Sequence, residues 1–352
     1  MSLFNGESLS VEIFGESHAE KIGAIVKGLP EFEIDFNKLS SFTQRRKASG
    51  GVFSTSRIET DEPVFEGLND KKTTSNFSFY IKNNNVKSGD YNSLYGRPRP
   101  SHADYAWFLK DGVLDFSGGG RFSGRLTAPL CVVGGICKQF LESKGIKIAS
   151  YISQIGKIKG DDYKKSFLTY DDIVERTQGF PSLSEKQEML DEIAAAKNDL
   201  NSVGGRVDCV IFGVPTGIGD NLFGGVEGKI SSLVYSIPAV KGVEFGLGFG
   251  FSEIYGDKAN DQLFYENGKV KFSSNNSGGI NGGITNGEQI TFSVAFRPTP
   301  SIYKEQNTVD LVNKQSVKIK IQGRHDACIV PRAVPCVESA AAIALTDMIL
   351  KK

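Results

Sequence analysis

The sequence predicts an α+β fold built of mixed layers. Stretches with helical and with strand periodicity are interspersed, and several strand pairs follow one another directly, so the order is not a strict βαβ repeat. No Walker motif occurs, and no glycine run matches G-x-G-x-x-G between a strand and a helix with an acid about 20 residues on, which disfavours a Rossmann domain.

Leu9, Val11 and Ile13 alternate with polar residues as a strand, which runs into Gly15-Glu-Ser-His18. A second strand is expected over 22–26, ending at Gly28-Leu-Pro30. Asp35 reads as the N-cap of a short helix with Phe36, Leu39 and Phe42 on one face and a basic end at Arg45, Arg46 and Lys47. Residues 64–80 hold strand-like pieces, and Asn83, Asn84 and Asn85 form a turn. Two X-Pro units make 96–104 a stiff, extended loop carrying Arg97, Arg99, His102 and Asp104. Residues 117–125 (Ser-Gly-Gly-Gly-Arg-Phe-Ser-Gly-Arg) open a helix marked by Leu126, Leu130, Val133, Ile136 and Phe140, with Pro129 in its first turn. Glycines leading into a helix N-terminus expose backbone N–H groups and a positive dipole end, which together make an anion site.

Further on, 183–200 is a polar amphipathic helix and 207–214 a buried strand. Ile230, Leu233, Val234 and Ile237 mark a helix stopped by Pro238, and Val243, Phe245, Leu247 and Phe249 alternate as a strand. The Ser/Asn/Gly-rich stretch 273–288 is compositionally a linker, with a fixed turn against a ligand as the sharper alternative. Strands follow at Ile290–Phe296, ending in Arg297-Pro-Thr-Pro-Ser301, and at Val317, Ile319 and Ile321. The latter delivers Gly323-Arg-His-Asp326 to a last helix over 334–350.

Lys+Arg and Asp+Glu are both 41, so bulk charge steers the chain toward neither nucleic acid nor an anionic membrane. The five cysteines are scattered with no C-x-x-C, which points to no zinc site, no metal and no disulfide framework. That usage, with no basic N-terminal leader and no apolar run of 18 residues, leads to the expectation of a cytoplasmic protein without a membrane span.

Histidine is the informative rarity. His18, His102 and His325 all fall in polar clusters that end apolar elements, together with at least five arginines. Arginine binds phosphate and carboxylate with paired hydrogen bonds, and histidine exchanges protons near neutrality. The pattern suits an enzyme acting on a polyanion.

These clusters resemble the signatures of the chorismate synthase family. Gly15-Glu-Ser-His18 through Gly28-Leu-Pro30 is similar to the first, Gly118-Gly-Gly-Arg-Phe-Ser-Gly-Arg125 to the second, and Gly323-Arg-His-Asp-Ala-Cys328 with Pro331-Arg-Ala-Val-Pro335 and Glu338 to the third. Arg99-Pro-Ser-His-Ala-Asp104, Ala239-Val-Lys-Gly-Val-Glu244, Ser274-Asn-Asn-Ser-Gly-Gly279 and Asn286-Gly-Glu288 add to the resemblance, which spans the chain.

The resemblance implies a single domain, 1–352, with a β-α-β sandwich fold, assembled as a homotetramer. It implies an anti-1,4-elimination of phosphate from 5-enolpyruvylshikimate 3-phosphate to give chorismate, the last step of the shikimate pathway, using reduced FMN without net redox change. NADPH enters only where a family member reduces its own flavin, and external reduction is the expectation here. By family position His102 protonates the departing phosphate, His18 steadies charge on the flavin near N1, and Asp326 is the base at flavin N5. Arg45, Arg46, Arg99, Arg125 and Arg324 are the expected substrate contacts. Arg121, Phe122, Ser123, Pro238, Ala239, Gly282, Arg297, Pro298, Thr299, Pro300, Ser301 and Arg324 are the expected flavin contacts. The chain departs from the family pattern at Ala19, Lys27, Val52, Phe122, Asn201 and Ala327, none of which is one of the three acid–base groups. A binding-only relative, a nucleic-acid-binding protein and an ordinary flavin oxidoreductase are the rival readings. The intact His/His/Asp set, the zero net charge and the lack of a nicotinamide fingerprint, respectively, disfavour them.

Overall fold

A computed structural model describes residues 2–47, 60–83, 94–116, 118–162, 168–321 and 325–351. Val52, Ser117, Gly323, Arg324 and two residues of the expected asparagine turn, Asn84 and Asn85, lie outside them.

The first half contains β1 (Ser2–Asn5), β2 (Ser10–Phe14), β3 (Lys21–Lys27), α1 (Phe36–Gln44), β4 (Val64–Glu66), β5 (Asn76–Lys82), α2 (Asp104–Asp111) and α3 (Thr127–Ser143). After it come β6 (Lys147–Ile155), β7 (Ile158–Lys159), α4 (Tyr170–Arg176), α5 (Lys186–Asn198), β8 (Gly205–Phe212), α6 (Val226–Val234) and β9 (Val240–Phe245). The last part holds α7 (Gly256–Ala259), three hairpins or strands, and the long α8 (Val330–Lys351). The hairpins are β10 (Leu263–Glu266) with β11 (Lys269–Phe272), β12 (Ile280–Asn281) with β13 (Ile284–Thr285), and β15 (Glu305–Asp310) with β16 (Gln315–Lys320); β14 (Ile290–Phe296) joins the second large sheet.

Two five-stranded antiparallel sheets form the outer layers, in the orders β1-β2-β3-β5-β4 and β7-β6-β8-β14-β9. Between them α3 and α8 pack on each other, α3 against β2 and β3, α8 against β6 and β8. One apolar core takes side chains from both sheets and both helices, including Ile22 and Phe79, Val133 and Ile136, Val207 and Phe292, Val337 and Leu345. This is the expected β-α-β sandwich. Gly134 sets the helix spacing, because a Cβ there would stand 2.2 Å from Cβ of Ser339.

The sequence dictates these layers through burial. A helix apolar all round needs cover on every side. α8 is such a helix: by length and a mean hydropathy of 1.6 it would cross a membrane, yet 89% of that window is buried inside the fold. It begins at Val330 rather than at 334 and runs through Pro335. Pro331 lies in its first turn, where a missing N–H costs little. Pro335 forfeits one internal bond in a helix that packing holds from both faces. β6 is likewise buried on both faces. Ile148 and Ile152 point into the main core, while Ala149 and Tyr151 meet Ile173 of α4 and Leu183 in a second cluster.

Two local expectations change. The strand through Val243 and Phe245 stops at Phe245, because Gly246 and Gly248 both take φ +55°; Leu247 falls in the turn that follows and Phe249 in the 3-10 helix Gly248–Glu253. The stretch 273–288 is a fixed structure rather than a linker: Asp261 accepts from Ser274 Oγ, Asn276 N and Ser277 N, and β12–β13 follows. Asp35 caps α1 as expected, accepting from Asn37 N and Lys38 N at 2.9 and 3.0 Å. The five cysteines are free and buried.

Candidate active site

The N-termini of α3 and α8 open onto one cavity of about 820 Å³, toward the upper end of the roughly 300–1,000 Å³ typical of small-molecule and cofactor sites. All three histidines of the chain line it. So do Arg46, Lys47, Arg99, Arg121, Arg125, Lys241, Arg297 and Arg332, against two carboxylates, Asp61 and Asp326. A chain of zero net charge thus concentrates its cations in one cleft, where two helix N-termini add to the positive field.

The glycine-rich turn forms two short 3-10 turns, Gly120–Phe122 and Gly124–Leu126, ahead of α3. Ser123 caps the second of these through Arg125 N, 3.2 Å, rather than α3 itself. Gly118 takes φ +60°, and a Cβ on it would lie 2.0 Å from Cε1 of His18. Only glycine lets the His18 ring rest there. Ser17 N donates to Gly120 O, and Ser17 Oγ lies 3.0 Å from His18 Nδ1, so the first and second signatures are pinned together. Phe122 stays at the cavity, its ring edge-on to Trp107 at 5.4 Å, with the Arg121 guanidinium 6.0 Å from the same indole.

The loop 96–104 folds on Pro100 and Ser101. His102 N donates to Arg99 O across a turn in which Ser101 takes φ +59°, a conformation rare for a residue other than glycine. Arg297 Nη1 donates to Ser101 O, and Thr308 Oγ1 to Pro98 O, which hold the turn from outside. Inside it, Arg99 grips Asp104 with Nε and Nη2, at 2.7 and 2.8 Å, and His102 Nδ1 stands 2.5 Å from Asp104 Oδ1. Burial pushes the Asp104 carboxyl up, but the bonds from Arg99 and His102 outweigh it and bring its pKa down to about 2. Asp104 therefore contributes stability that is fully present above its unfolded pKa of about 3.9 and lost as pH falls through its folded value. The stability gap between wild type and Asp104→Asn is expected to shrink as pH falls from about 4 toward 2, read from urea unfolding across that range.

Arg46 and Arg125 share Asp61. Arg46 Nη1 reaches Asp61 Oδ2 at 2.9 Å and its Nε reaches Thr127 Oγ1 at 2.8 Å, while Arg125 donates Nη1 to Asp61 Oδ1 and Nε to Asn83 Oδ1. Burial alone would raise the Asp61 carboxyl, and the two guanidiniums hold it below the usual range instead. Two buried cations to one carboxylate leave positive charge for an anionic ligand. Arg332 donates Nη1 to Asp326 Oδ2 at 2.6 Å and Nε to Arg46 O at 3.0 Å, so Asp326 is oriented from α8. Thr299 Oγ1 donates to Asp326 O.

Of the residues singled out from the sequence, His18, His102, Asp326, Arg46, Arg99, Arg125, Arg121, Phe122, Ser123, Pro238, Ala239, Arg297, Thr299, Pro300 and Ser301 meet at the cavity. Arg45, Pro298 and Gly282 do not line it. Arg45 turns away to Glu338, with bonds of 3.2 and 2.7 Å. Gly282 lies on the β12–β13 hairpin, which bridges to Gly219 instead. Arg324 is outside the described residues. Asp61, Asp104 and Arg332 are site residues that the sequence reading does not assign: Asp61 carries no motif, whereas Asp104 and Arg332 lie within Arg99–Asp104 and Pro331–Pro335. Among the described residues no three His, Cys, Asp or Glu side chains gather as a metal site.

Fold and cavity together define an enzyme that binds polyanions and holds proton-transfer groups among its arginines. The chorismate synthase family model matches residues 9–350. Chorismate synthases of Thermococcus kodakarensis and Methanocaldococcus jannaschii are 40% and 38% identical, the alignments covering 99% and 98% of this chain and 97% and 96% of theirs. A crystal structure of a chorismate synthase superposes with a TM-score of 0.74 at 26% identity, over 99% of this chain and 93% of that one. The chain belongs to the chorismate synthase family.

Proposed function

We propose that this chain is a chorismate synthase, a carbon–oxygen lyase that eliminates phosphate from 5-enolpyruvylshikimate 3-phosphate to give chorismate with reduced FMN as cofactor. The observation that carries the reading is the convergence of three histidines and eight cationic side chains on one cavity. The substrate brings two carboxylates and a phosphate, and FMN a further phosphate. That anionic load needs this many cations.

The lining fits a flavin. Arg297 Nε is buried without a hydrogen-bond partner among the described residues, while Pro238, Ala239 and Thr299–Ser301 present small side chains and backbone along the wall. Arg121, Phe122, Ser123 and Arg297 would hold the cofactor with those segments. Reduced flavin supplies electron density to the breaking C–O bond and recovers it, so the overall reaction has no net redox change.

Arg46, Arg99, Arg125 and Arg324 bind the substrate anions in this reading, and Arg45 and Gly282 take no part. His102 donates a proton from Nε2 to the departing phosphate. His18, held on Gly118, would steady negative charge on the reduced flavin near N1. Asp326, oriented by Arg332, would be the base that keeps flavin N5 free of its proton and so able to receive the hydrogen that leaves substrate C6. The family's homotetramer, a cytoplasmic location and external reduction of the flavin complete the reading.

Anaerobic turnover of 5-enolpyruvylshikimate 3-phosphate tests it, with chemically reduced FMN, oxidised FMN, or oxidised FMN plus NADPH. Chorismate with reduced FMN alone is the expected result. Product with NADPH as well would assign the chain its own flavin reductase activity. FMN binding without product under any condition would leave a binding-only relative.

A further inference from the structure

We propose that Asp104 is the positioning residue for His102: its carboxylate holds a proton on Nδ1 and favours the imidazolium, the form in which Nε2 also carries a proton toward the cavity. The inference rests on the reading of His102 as the proton donor and adds the group that makes it one.

Both hydrogen bonds of His102 that involve its ring run to Nδ1, one with Asp104 Oδ1 at 2.5 Å and one with Arg99 Nη2 at 3.2 Å. They compete, because a protonated Nδ1 suits the carboxylate and a bare Nδ1 suits the guanidinium. The carboxylate is the closer and carries the opposite charge to an imidazolium, so the proton sits on Nδ1. Nε2 is then the ring's working nitrogen. Asp104 cannot swing away from this task. Its Oδ2 accepts from Arg99 N and Nε, its Oδ1 from Arg99 Nη2, and the residue is 1% exposed. As the first residue of α2 it also lies at that helix's positive end.

The same geometry dictates what Asp104→Asn does. Arg99 N and Nε are donors only, so the amide oxygen must take the Oδ2 place. The amide NH2 then takes the Oδ1 place and faces both His102 Nδ1 and Arg99 Nη2, where it can only donate, so it bonds to His102 and the bond to Arg99 Nη2 is lost. Nδ1 becomes an acceptor, and the ring becomes neutral imidazole with its single proton on Nε2. Neutral imidazole is a far weaker acid than imidazolium. The phosphate loses its proton donor and Arg99 Nη2 loses its Oδ1 acceptor, while Arg46 and Arg125, which are held by Asp61, stay in place.

The test compares wild type, Asp104→Asn and His102→Ala in anaerobic assays with reduced FMN, and in 15N NMR of protein labelled only at histidine. With three histidines in the chain, His102→Ala assigns the signals. For Asp104→Asn, kcat is expected to fall about 10²–10⁴-fold, as in the loss of an orienting carboxylate elsewhere, and any rise in KM from the freed Arg99 Nη2 to be far smaller than that fall. The Nδ1 signal of His102 is expected to move from the protonated to the unprotonated position at pH 8, and the His18 and His325 signals to stay, which shows that the variant is folded. An Nδ1 that remains protonated in Asp104→Asn overturns the proposal, as does an unchanged kcat beside an inactive His102→Ala. Full activity in both variants overturns instead the reading of His102 as the acid.

Discussion

Replacing His102 by alanine is expected to lower kcat by about 10²–10⁴-fold, the range for a general acid, with a much smaller change in KM. The split follows from what the side chain touches. Its ring is held by Asp104 and Arg99 and lines the cavity, while charge attraction for the substrate comes from Arg46, Arg125 and their neighbours. Removing the imidazole leaves those cations in place, so the ground-state complex forms. What disappears is the proton that a departing phosphate needs as its C–O bond breaks. Stopped-flow measurement of phosphate release, under anaerobic conditions with reduced FMN, separates the two constants. A rise in KM with kcat kept would make His102 a binding group.

Much of this site was legible because its chemistry needs rare residues in special backbone settings. Three histidines among 352 residues all sat in glycine-, proline- or arginine-rich turns, and all three reach one cavity. The glycine triplet signalled a close backbone approach to an anionic ligand, and the approach the structure shows is that of Gly118 to the His18 ring. Core elements were legible from periodicity alone, as in α3 and β14, whose apolar positions are buried as expected. Three things were not legible, each for a physical reason. Arg45 and Arg46 are chemically alike and adjacent, but successive residues at a helix end point about 100° apart. Arg46 therefore enters the cavity and Arg45 meets Glu338. Asp61 is one acid among many until the fold carries it between Arg46 and Arg125. Leu247 and Phe249 alternate correctly for a strand, yet glycines at 246 and 248 adopt left-handed conformations that end it, and strand periodicity carries no information about φ.

Glu338 is where Arg45's charge is used, and it carries the largest expected effect on stability. The carboxylate is 1% exposed, between α8, α3 and β6. It accepts both terminal nitrogens of Arg45, Nζ of Lys138 and the backbone N–H of Ser150. Burial would raise its pKa, and the two cations outweigh that and lower it. Glu338→Ala strands the buried Lys138 ammonium, whereas Arg45, with 38% of its side chain in solvent, can turn to water. Breaking a buried ion pair in this way costs about 3–5 kcal/mol, so the urea midpoint should fall sharply. Replacing both members, Glu338→Leu with Lys138→Met, should recover most of that loss, because no buried charge remains unpaired. Because Arg45 lies off the cavity, the fraction of Glu338→Ala that stays folded should keep the wild-type KM. A raised KM without loss of stability would return Arg45 to the substrate.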